Sequence, residues 1–575
     1  MDNNNTLSIA ITGSGGSGAL TTGLILLKAM AHAGFYGIMS RSSGPQIRGG
    51  ESAVMMRFAD HEVYSHDDHF QVLLCLDWLK IERFADEIPL HNGSLLLGDT
   101  DAGDIPGILT VSGVQSQLLP LKKTAADIKG GRSNMTGLGV LAKLLGLSVD
   151  IMQKAIEGIL GRKKDPLIIE ASLACIEQGM KLLSFSDSPL TADWQITESQ
   201  RWDISGNEAS GLGALQAGVR FVAAYPITPA SEILEWLSPN LEKMGGSLLQ
   251  AEDELASINM IIGASFGGVP SLTATSGPGL SLMMEGLGLA VASETPVVVI
   301  NVMRGGPSTG IPTKSEQADL NLALFGFHGD APHIVLAPTH IKDCVFTVHW
   351  ASCLAEHLQT VAIVMSDQFL GQSRTVVDPP AAITIPCKRI TASGITENYQ
   401  RYELTENGIS PMSIPGTPRG MYTADGLEHT PHGTPSSMAQ DHLSQMEKRR
   451  DKLSNYDFGG QWAEIEGEGD TAIVTWGSIS SVVHEAAQRL RHKGITVRVI
   501  IIRLLMPLPL QQMKSVQRDI KQSIVIEQNQ SGQFYHYLKG LDALQGQSSS
   551  FARPGPLLIR PDEVTAFVEQ QVKHG

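Results

Sequence analysis

The chain has 575 residues, of which 42% are hydrophobic and 18% charged, which suits about three or four packed domains and excludes a disordered chain. Its net charge of −16 argues against nucleic acid as the main partner. The first residues lack the basic start of a secretory signal, and no apolar run reaches the ~18 residues of a membrane span, so we expect a cytoplasmic protein.

The hydrophobic pattern of the first segment predicts a sheet packed with helices. Short apolar strands over 7–12, 36–40 and 72–77 alternate with an apolar helix over 19–33. This alternation is typical of α/β proteins with a parallel, doubly wound sheet. Similar α/β patterns recur further along the chain, so we expect three such units and the segments 1–190, 205–375, an irregular 376–455, and 456–575.

A glycine loop joins the first strand to the first helix in the pattern GxGxxG, with its glycines at Gly13, Gly15, Gly16 and Gly18. Such a loop lets backbone N–H groups approach a phosphate at a helix N-terminus. NAD binding would need an acid after the second strand, but Arg41 stands there and Arg48 adds another cation. A phosphorylated adenosine, as in NADP or coenzyme A, fits better. A tight turn without a ligand is the alternative.

The second segment contains strands over 221–225, 248–251, 271–275 and 297–303, each of which runs into a loop of chemically useful residues. Open α/β sheets bind ligands at the carboxyl ends of their strands. These loops begin at Tyr225-Pro-Ile-Thr-Pro, Glu252-Asp-Glu, Ser276-Gly-Pro-Gly and Arg304-Gly-Gly-Pro-Ser-Thr-Gly. A last α/β unit begins near Thr471.

Five cysteines are scattered along the chain without a CxxC spacing: Cys75, Cys175, Cys344, Cys353 and Cys387. This spacing argues against a disulfide framework, a structural zinc site or an iron–sulfur cluster held by this chain alone. We expect buried, inert thiols.

The four loops of the second segment together resemble the alpha subunit of the 2-oxoacid:acceptor (ferredoxin) oxidoreductases. The N-terminal glycine loop and Ser43-Gly-Pro-Gln-Ile-Arg-Gly-Gly resemble the gamma unit of that family. The whole chain is therefore similar to a fused gamma–alpha subunit, most like that of 2-oxoglutarate:ferredoxin oxidoreductase. The resemblance implies a gamma-type domain, a thiamine pyrimidine-binding domain and a transketolase C-terminal-like domain.

The resemblance also implies an activity. The expected reaction converts 2-oxoglutarate and coenzyme A to succinyl-CoA and CO2 with thiamine diphosphate, passes electrons to ferredoxin, and is reversible in principle. Indolepyruvate or branched-chain 2-oxoacids are alternative substrates within the family. An NADP-binding regulatory subunit is the alternative from another class.

Residue roles follow from the same resemblance. Glu254 would contact N1′ of the cofactor's aminopyrimidine, and Arg304 would bind the substrate carboxylate through its guanidinium fork. Thr228 would contact the substrate or cap the following helix, and Thr313 would contact the substrate or be an inert loop residue. Glu254 and Arg304 could instead be a helix-terminal acid and a solvated loop arginine.

The chain has no Gly-Asp-Gly motif of the kind that usually anchors Mg²⁺ and diphosphate. We therefore expect a beta subunit to hold the diphosphate, Mg²⁺ and a [4Fe-4S] cluster, with the active site at the subunit interface. A dimer of heterodimers is the expected assembly. The residue that binds the distal carboxylate of 2-oxoglutarate is not evident from the sequence.

Overall fold

A computed structural model describes residues 6–44, 50–161, 166–183, 194–197, 199–395 and 397–574. The chain forms two compact units, numbered here by their order in the sequence. The first unit contains Met1–Ser205, Gln372–Pro380 and Arg560–Asp562, and the second contains Gly206–Gly371, Ala381–Ile559 and Glu563–Gly575. Arg48 lies outside the described residues, as does most of the polar stretch after residue 183.

The first unit is built on an eight-stranded sheet in its described part, with the order β6-β5-β4-β1-β3-β2-β14-β7. Its strands are β1 (Thr6–Gly13), β2 (Tyr36–Ser43), β3 (Ser52–Ala59), β4 (Phe70–Cys75), β5 (Leu90–Asp99), β6 (Gln115–Leu119), β7 (Trp202–Ser205) and β14 (Arg374–Val377). Its helices are α1 (Ala19–His32), α2 (Leu121–Ala126), α3 (Ser133–Leu144), α4 (Val149–Leu160) and α5 (Pro166–Met180).

The α/β class is confirmed, but this first sheet is mixed rather than parallel. Strands β1, β4, β5 and β6 pair in parallel, whereas β3 pairs antiparallel with both β1 and β2, and β14 pairs antiparallel with β2 and β7. The sequence pattern did not predict β3. Only a short connection separates β2 from β3, and such a connection suffices for antiparallel neighbours but not for a parallel crossover.

The second unit contains two mostly parallel sheets. The seven-stranded sheet has the order β18-β12-β13-β11-β10-β8-β9, and the five-stranded sheet has the order β15-β17-β16-β19-β20. The larger sheet comprises β8 (Phe221–Ala224), β9 (Ser247–Gln250), β10 (Ser271–Thr275), β11 (Val297–Met303), β12 (Ile334–Leu336), β13 (Val361–Asp367) and β18 (Leu504–Met506). The smaller comprises β15 (Ala463–Glu466), β16 (Thr471–Thr475), β17 (Arg498–Ile502), β19 (Gln522–Glu527) and β20 (Gln547–Ala552).

Helices cover the faces of these sheets, so the central strands are buried on both sides. Strands β11 and β13 are buried along their whole length, which explains their mostly apolar sequences. The helices of this unit are α6 (Gly206–Gln216), α7 (Ser231–Lys243), α8 (Glu254–Phe266), α9 (Gly277–Ala292), α10 (Leu320–Phe325), α11 (Asp343–Leu358), α13 (Ala439–Ser454), α14 (Ile479–His492), α15 (Leu510–Val516) and α16 (Gln533–Gly540). Helices α12 (Gln368–Gln372) and α17 (Pro561–His574) cross the unit boundaries.

The prediction for the cysteines is wrong for two of them. Cys353 on α11 and Cys387 form a disulfide, whereas Cys75, Cys175 and Cys344 are buried free thiols. The partners are 34 residues apart, and the sequence spacing gave no sign of their pairing because it is the fold that returns the chain to α11. Among the described residues, no helix has the length and apolar character needed to cross a bilayer.

A buried ionic cluster fastens the connecting segment to the larger sheet's helices. The carboxylate of Glu294 accepts hydrogen bonds from Lys448 at 2.5 Å and Lys452 at 3.0 Å, and its backbone carbonyl accepts one from Arg401 at 2.9 Å. Burial alone would raise the pKa of Glu294, but the two ammonium groups outweigh it and hold the pKa well below its usual range. Burial lowers the pKa of Lys448 to about 8.

We predict that Glu294→Gln destabilises the protein by ~3–5 kcal/mol, because it leaves buried cations without their counter-charge. Urea unfolding at pH 7 measures this loss. Glu285→Gln, at an exposed position on α9, is the matched control and should change stability by less than ~0.5 kcal/mol. Equal effects of the two variants would contradict the assignment.

The Glu294→Gln variant should also lose less free energy of unfolding than the unaltered chain as the pH falls into the acid range. The folded pKa of Glu294 lies below its ordinary value of 4.5, so its contribution is complete above pH 4.5 and is lost as the pH falls toward the folded pKa.

Candidate active site

Four neighbouring strands of the larger sheet bring the predicted residues to one edge. The order β11-β10-β8-β9 is contiguous, and these four strands are parallel, so their carboxyl ends meet. Arg304 directly follows β11, Thr228 follows β8, and Glu254 begins the helix that follows β9. The loop after β10 leads into α9 between them.

Glu254 is the first residue of α8 and is only 6% exposed. The two acids before it are exposed, and Asp253 caps α8 by accepting a hydrogen bond from the Ala256 N–H at 2.7 Å. Glu254 packs instead against α9, where a methyl group on Gly279 would lie 2.6 Å from Oε1. The three consecutive acids therefore differ sharply in their surroundings, and only Glu254 is buried.

Arg304 is buried at 7% exposure and points toward the loop after β8. Its Nη1 donates a hydrogen bond to the Thr228 carbonyl at 2.5 Å, whereas its Nε has no hydrogen-bond partner among the described residues. Burial lowers the pKa of Arg304, and Asp319 opposes that shift. The guanidinium is thus held at one nitrogen and retains an unsatisfied buried donor, which an anionic ligand would satisfy.

Thr228 does not cap the helix that follows it. Helix α7 begins at Ser231, its N-cap residue is Ala230, and no side chain caps it. The capping alternative for Thr228 is therefore wrong, and the structure gives its carbonyl the role of accepting from Arg304. The loop from Arg304 to Lys314 folds back on itself, because Gly305 forms backbone hydrogen bonds with both Ile311 and Lys314. Thr313 lies between these two partners in the returning part of the loop.

Two polar residues that sequence reasoning missed complete this edge. Asn301, buried within β11, donates a hydrogen bond from Nδ2 to Asp319 at 3.0 Å. The Asp319 carboxylate lies against the N-terminus of α9, where a methyl group on Gly277 would come within 2.6 Å of it. Burial raises the pKa of Asp319, while Asn301 and Arg304 lower it. An asparagine inside an apolar strand was the available signal for Asn301, whereas the sequence held no pattern for Asp319.

The glycine-loop residues lie in the first unit. They belong to a different sheet from the one that carries the candidate active site. Gly18, with a φ of 90°, precedes α1, and no side chain of a described residue caps that helix. Gly15 and Gly16 are exposed, whereas Gly13 is buried at the end of β1. Arg41 lies on β2, two strands from β1 and aligned with Ile11 through Val54, about 10 Å from β1 by sheet spacing.

Sequence reasoning did not predict that Asp77 contacts the glycine loop. Its carboxylate accepts hydrogen bonds from the Ser14 N–H at 3.0 Å and from the Ser14 hydroxyl at 2.8 Å. One side of the loop is therefore already occupied by an acid of the protein. A phosphate would meet only the remaining N–H groups of the exposed glycines and the first turn of α1.

Three family models match consecutive parts of the chain. Residues 8–182 match pyruvate ferredoxin/flavodoxin oxidoreductase, and residues 469–554 match core domain II of pyruvate:ferredoxin oxidoreductase. Residues 212–448 match the thiamine diphosphate-binding model of pyruvate flavodoxin/ferredoxin oxidoreductase. The thiamine diphosphate-binding match contains four predicted site residues: Glu254, Arg304, Thr228 and Thr313.

A 2-oxoacid:ferredoxin oxidoreductase subunit alpha from Sulfolobus sp. is 31% identical over 586 residues, covering 91% of this chain and 90% of the relative. This chain belongs to the 2-oxoacid:ferredoxin oxidoreductase alpha-subunit family. The 2-oxoglutarate synthase subunit KorA of Archaeoglobus fulgidus is 34% identical to this alpha subunit and covers 64% of it, with 99% of its own length matched. Alpha-subunit relatives place the chain in a multi-subunit oxidoreductase.

A solved structure extends the likeness to nearly the whole alpha subunit. The 2-oxoglutarate:ferredoxin oxidoreductase from Magnetococcus marinus, solved with 2-oxoglutarate, coenzyme A and succinyl-CoA bound, matches with a TM-score of 0.90 and 36% sequence identity. The match covers 99% of both chains.

We predict that Gly279→Ala destabilises this alpha subunit by ~1–3 kcal/mol, because the added methyl group would overlap Glu254 and Thr275. Gly288→Ala on the same helix is the control, since a methyl group there meets nothing within 4 Å and should stabilise by ~0.5–1 kcal/mol. Urea midpoints of both variants measure the difference. Stabilisation by both substitutions would show that the Glu254 side chain is not packed against α9.

Proposed function

We propose that this alpha subunit, joined to a beta subunit, uses thiamine diphosphate to convert 2-oxoglutarate and coenzyme A to succinyl-CoA and CO2. Two electrons pass one at a time to two ferredoxins, and one proton is released. The observation that carries the proposal is that a buried acid, Glu254, and the buried, incompletely bonded guanidinium of Arg304 lie at the same sheet edge. Both lie within the region that matches a thiamine diphosphate-binding family.

Glu254 fits the contact with N1′ of the aminopyrimidine. The residue is only 6% exposed, and its carboxylate accepts no hydrogen bond from the described residues, so a ligand nitrogen can donate to it. A helix-terminal acid that served only the α8 dipole would gain nothing from burial, and Asp253 already caps that helix. Glu254 would share a proton with N1′ and so favour the imino form of the ring.

Arg304, Thr228 and Thr313 would hold the substrate. The Thr228 carbonyl orients the guanidinium, which leaves its remaining N–H groups for the carboxylate next to the 2-oxo group. The side chains of Thr228 and Thr313 would contact the substrate beside the guanidinium. When bound, the cofactor would supply a nucleophilic carbon and an electron-accepting ring for the decarboxylation.

The choice of 2-oxoglutarate rests on similarity. The Magnetococcus marinus enzyme whose structure matches over 99% of this chain was solved with 2-oxoglutarate bound, and the KorA relatives are named 2-oxoglutarate synthase subunits. Coenzyme A was bound in the same structure. We propose the first unit as its binding domain, with Gly13, Gly15, Gly16, Gly18, Arg41 and Arg48 as candidate contacts.

A beta subunit would complete the active site. Large apolar side chains beside the site remain half exposed in the isolated chain, among them Leu255 at 50% and Leu282 at 51%, together with Tyr225 at 41%. Such a patch next to a buried acid is typical of a protein interface. We propose that this partner supplies the Mg²⁺–diphosphate site and a [4Fe-4S] cluster, that two such pairs associate, and that the complex works in the cytoplasm.

We predict that Glu254→Gln lowers turnover of the assembled enzyme by ~10²–10⁴-fold, since glutamine cannot share a proton with the pyrimidine. The rate of 2-oxoacid- and coenzyme A-dependent viologen dye reduction measures this effect. Glu252→Gln, at an exposed position two residues away, should keep the normal rate. A near-normal rate for Glu254→Gln, in a complex that still assembles, would refute the assignment.

The substrate is tested by comparing kcat/KM for 2-oxoglutarate, indolepyruvate and 2-oxoisovalerate. We expect 2-oxoglutarate to be preferred by at least ~10-fold, because its distal carboxylate would form a charge-assisted contact that neutral side chains cannot form. A preference for either other acid would assign the enzyme to another substrate class. NADP binding to the chain without any 2-oxoacid activity of the assembled complex would favour the regulatory alternative.

A further inference from the structure

A second cluster of reactive side chains lies on helix α11, outside the candidate active site. His349 and Cys353 are four residues apart and so share one face of that helix. Cys387, from the segment after residue 380, meets them there. One ligand atom from each of the three residues lies within 4.8 Å of the other two. The two sulfurs are joined as a disulfide.

The imidazole of His349 is arranged as that of a metal-binding histidine. The residue is 3% exposed, and burial lowers its pKa, which favours the neutral imidazole. Nε2 lies 3.0 Å from the Ile385 carbonyl, which can only accept, so Nε2 carries the proton. Nδ1 then holds the lone pair, and it is buried without a hydrogen-bond partner in the described part of the chain. A carbonyl that fixes one ring nitrogen while the other offers its lone pair is common beside metals.

The backbone around the sulfurs is fastened independently of the disulfide. Arg389, two residues after Cys387, donates hydrogen bonds to both carboxylate oxygens of Glu356 on α11 at 2.8 and 2.9 Å. Arg389 also donates to the Ser265 hydroxyl at 2.9 Å. Reduction of the disulfide would therefore leave the two thiols beside each other and beside His349.

We expect the reduced cluster to have a spacing that suits zinc. Two thiolates bound to one tetrahedral zinc at ~2.3 Å lie about 3.7 Å apart, which is close to the contact distance of unbonded sulfurs. One ring nitrogen of His349 lies within 4.8 Å of each of the two sulfurs. Thiolate and imidazole together are the ligands that Zn²⁺ prefers in proteins.

We propose that His349, Cys353 and Cys387 form a thiol-gated Zn²⁺ site. In the reduced chain the site binds one Zn²⁺ through two thiolates and the imidazole, and two thiol protons are released. In the oxidised chain the disulfide removes both thiolates, and the site binds no zinc. A dithiol or phosphine reductant supplies the two electrons that open the disulfide, and a small-molecule disulfide takes them back.

The test uses the full chain, reduced with a phosphine, freed of metal and titrated with Zn²⁺ against a chromophoric chelator. The expected result is one equivalent bound by the reduced chain and none after oxidation with glutathione disulfide. Cys353→Ser and Cys387→Ser should each weaken binding by at least tenfold, whereas Cys344→Ser, which alters a buried free thiol on the same helix, should not. Co²⁺ in place of Zn²⁺ should give thiolate-to-metal charge-transfer absorption.

The proposal is overturned if the reduced chain binds no Zn²⁺ at micromolar concentration, or if Cys387→Ser binds as tightly as the unaltered chain. Co²⁺ bound without thiolate charge-transfer bands would also overturn it. His349→Gln provides a further variant in case a serine variant does not fold, and it should weaken binding while leaving the disulfide able to form.

Discussion

The burial of one carboxyl group, that of Glu254, is the constraint on which the site depends. A buried acid without a protein partner is costly unless a ligand satisfies it. The sheet makes this burial possible because β9 ends beside β8 and β10, so α8 begins against the glycine-rich first turn of α9. The same turn accommodates the Asp319 carboxylate at Gly277, and the two glycines thus leave room for two acids at one helix end.

The second constraint is the way in which Arg304 is held. A carboxylate-binding guanidinium must be oriented without being fully occupied, and a single backbone carbonyl, that of Thr228, achieves this. Asp319, which accepts a hydrogen bond from Asn301, supplies negative charge near Arg304 without a direct ion pair within 4 Å among the described groups. The buried cluster around Glu294 fixes the connecting segment, whose composition alone gave no reason to expect a rigid structure.

Much of this could be predicted from the sequence, because parallel strands buried on both faces give continuous apolar runs whose carboxyl ends are marked by the next polar residues. Arg304 after β11 and Glu254 after β9 were found in this way and through family resemblance. Features that depend on distant segments were not predictable: the antiparallel insertion of β3, the Asp77 contact with the glycine loop, and the Cys353–Cys387 disulfide. Each joins residues whose separation along the chain carries no periodic signal.

The most direct test of the account is an experimental structure of the assembled enzyme with thiamine diphosphate. The account predicts that a Glu254 carboxylate oxygen lies ~2.6–2.9 Å from N1′ of the aminopyrimidine, with the Arg304 guanidinium facing the reactive carbon. A cofactor whose pyrimidine contacts a different acid, with Glu254 remote from the ring, would contradict it.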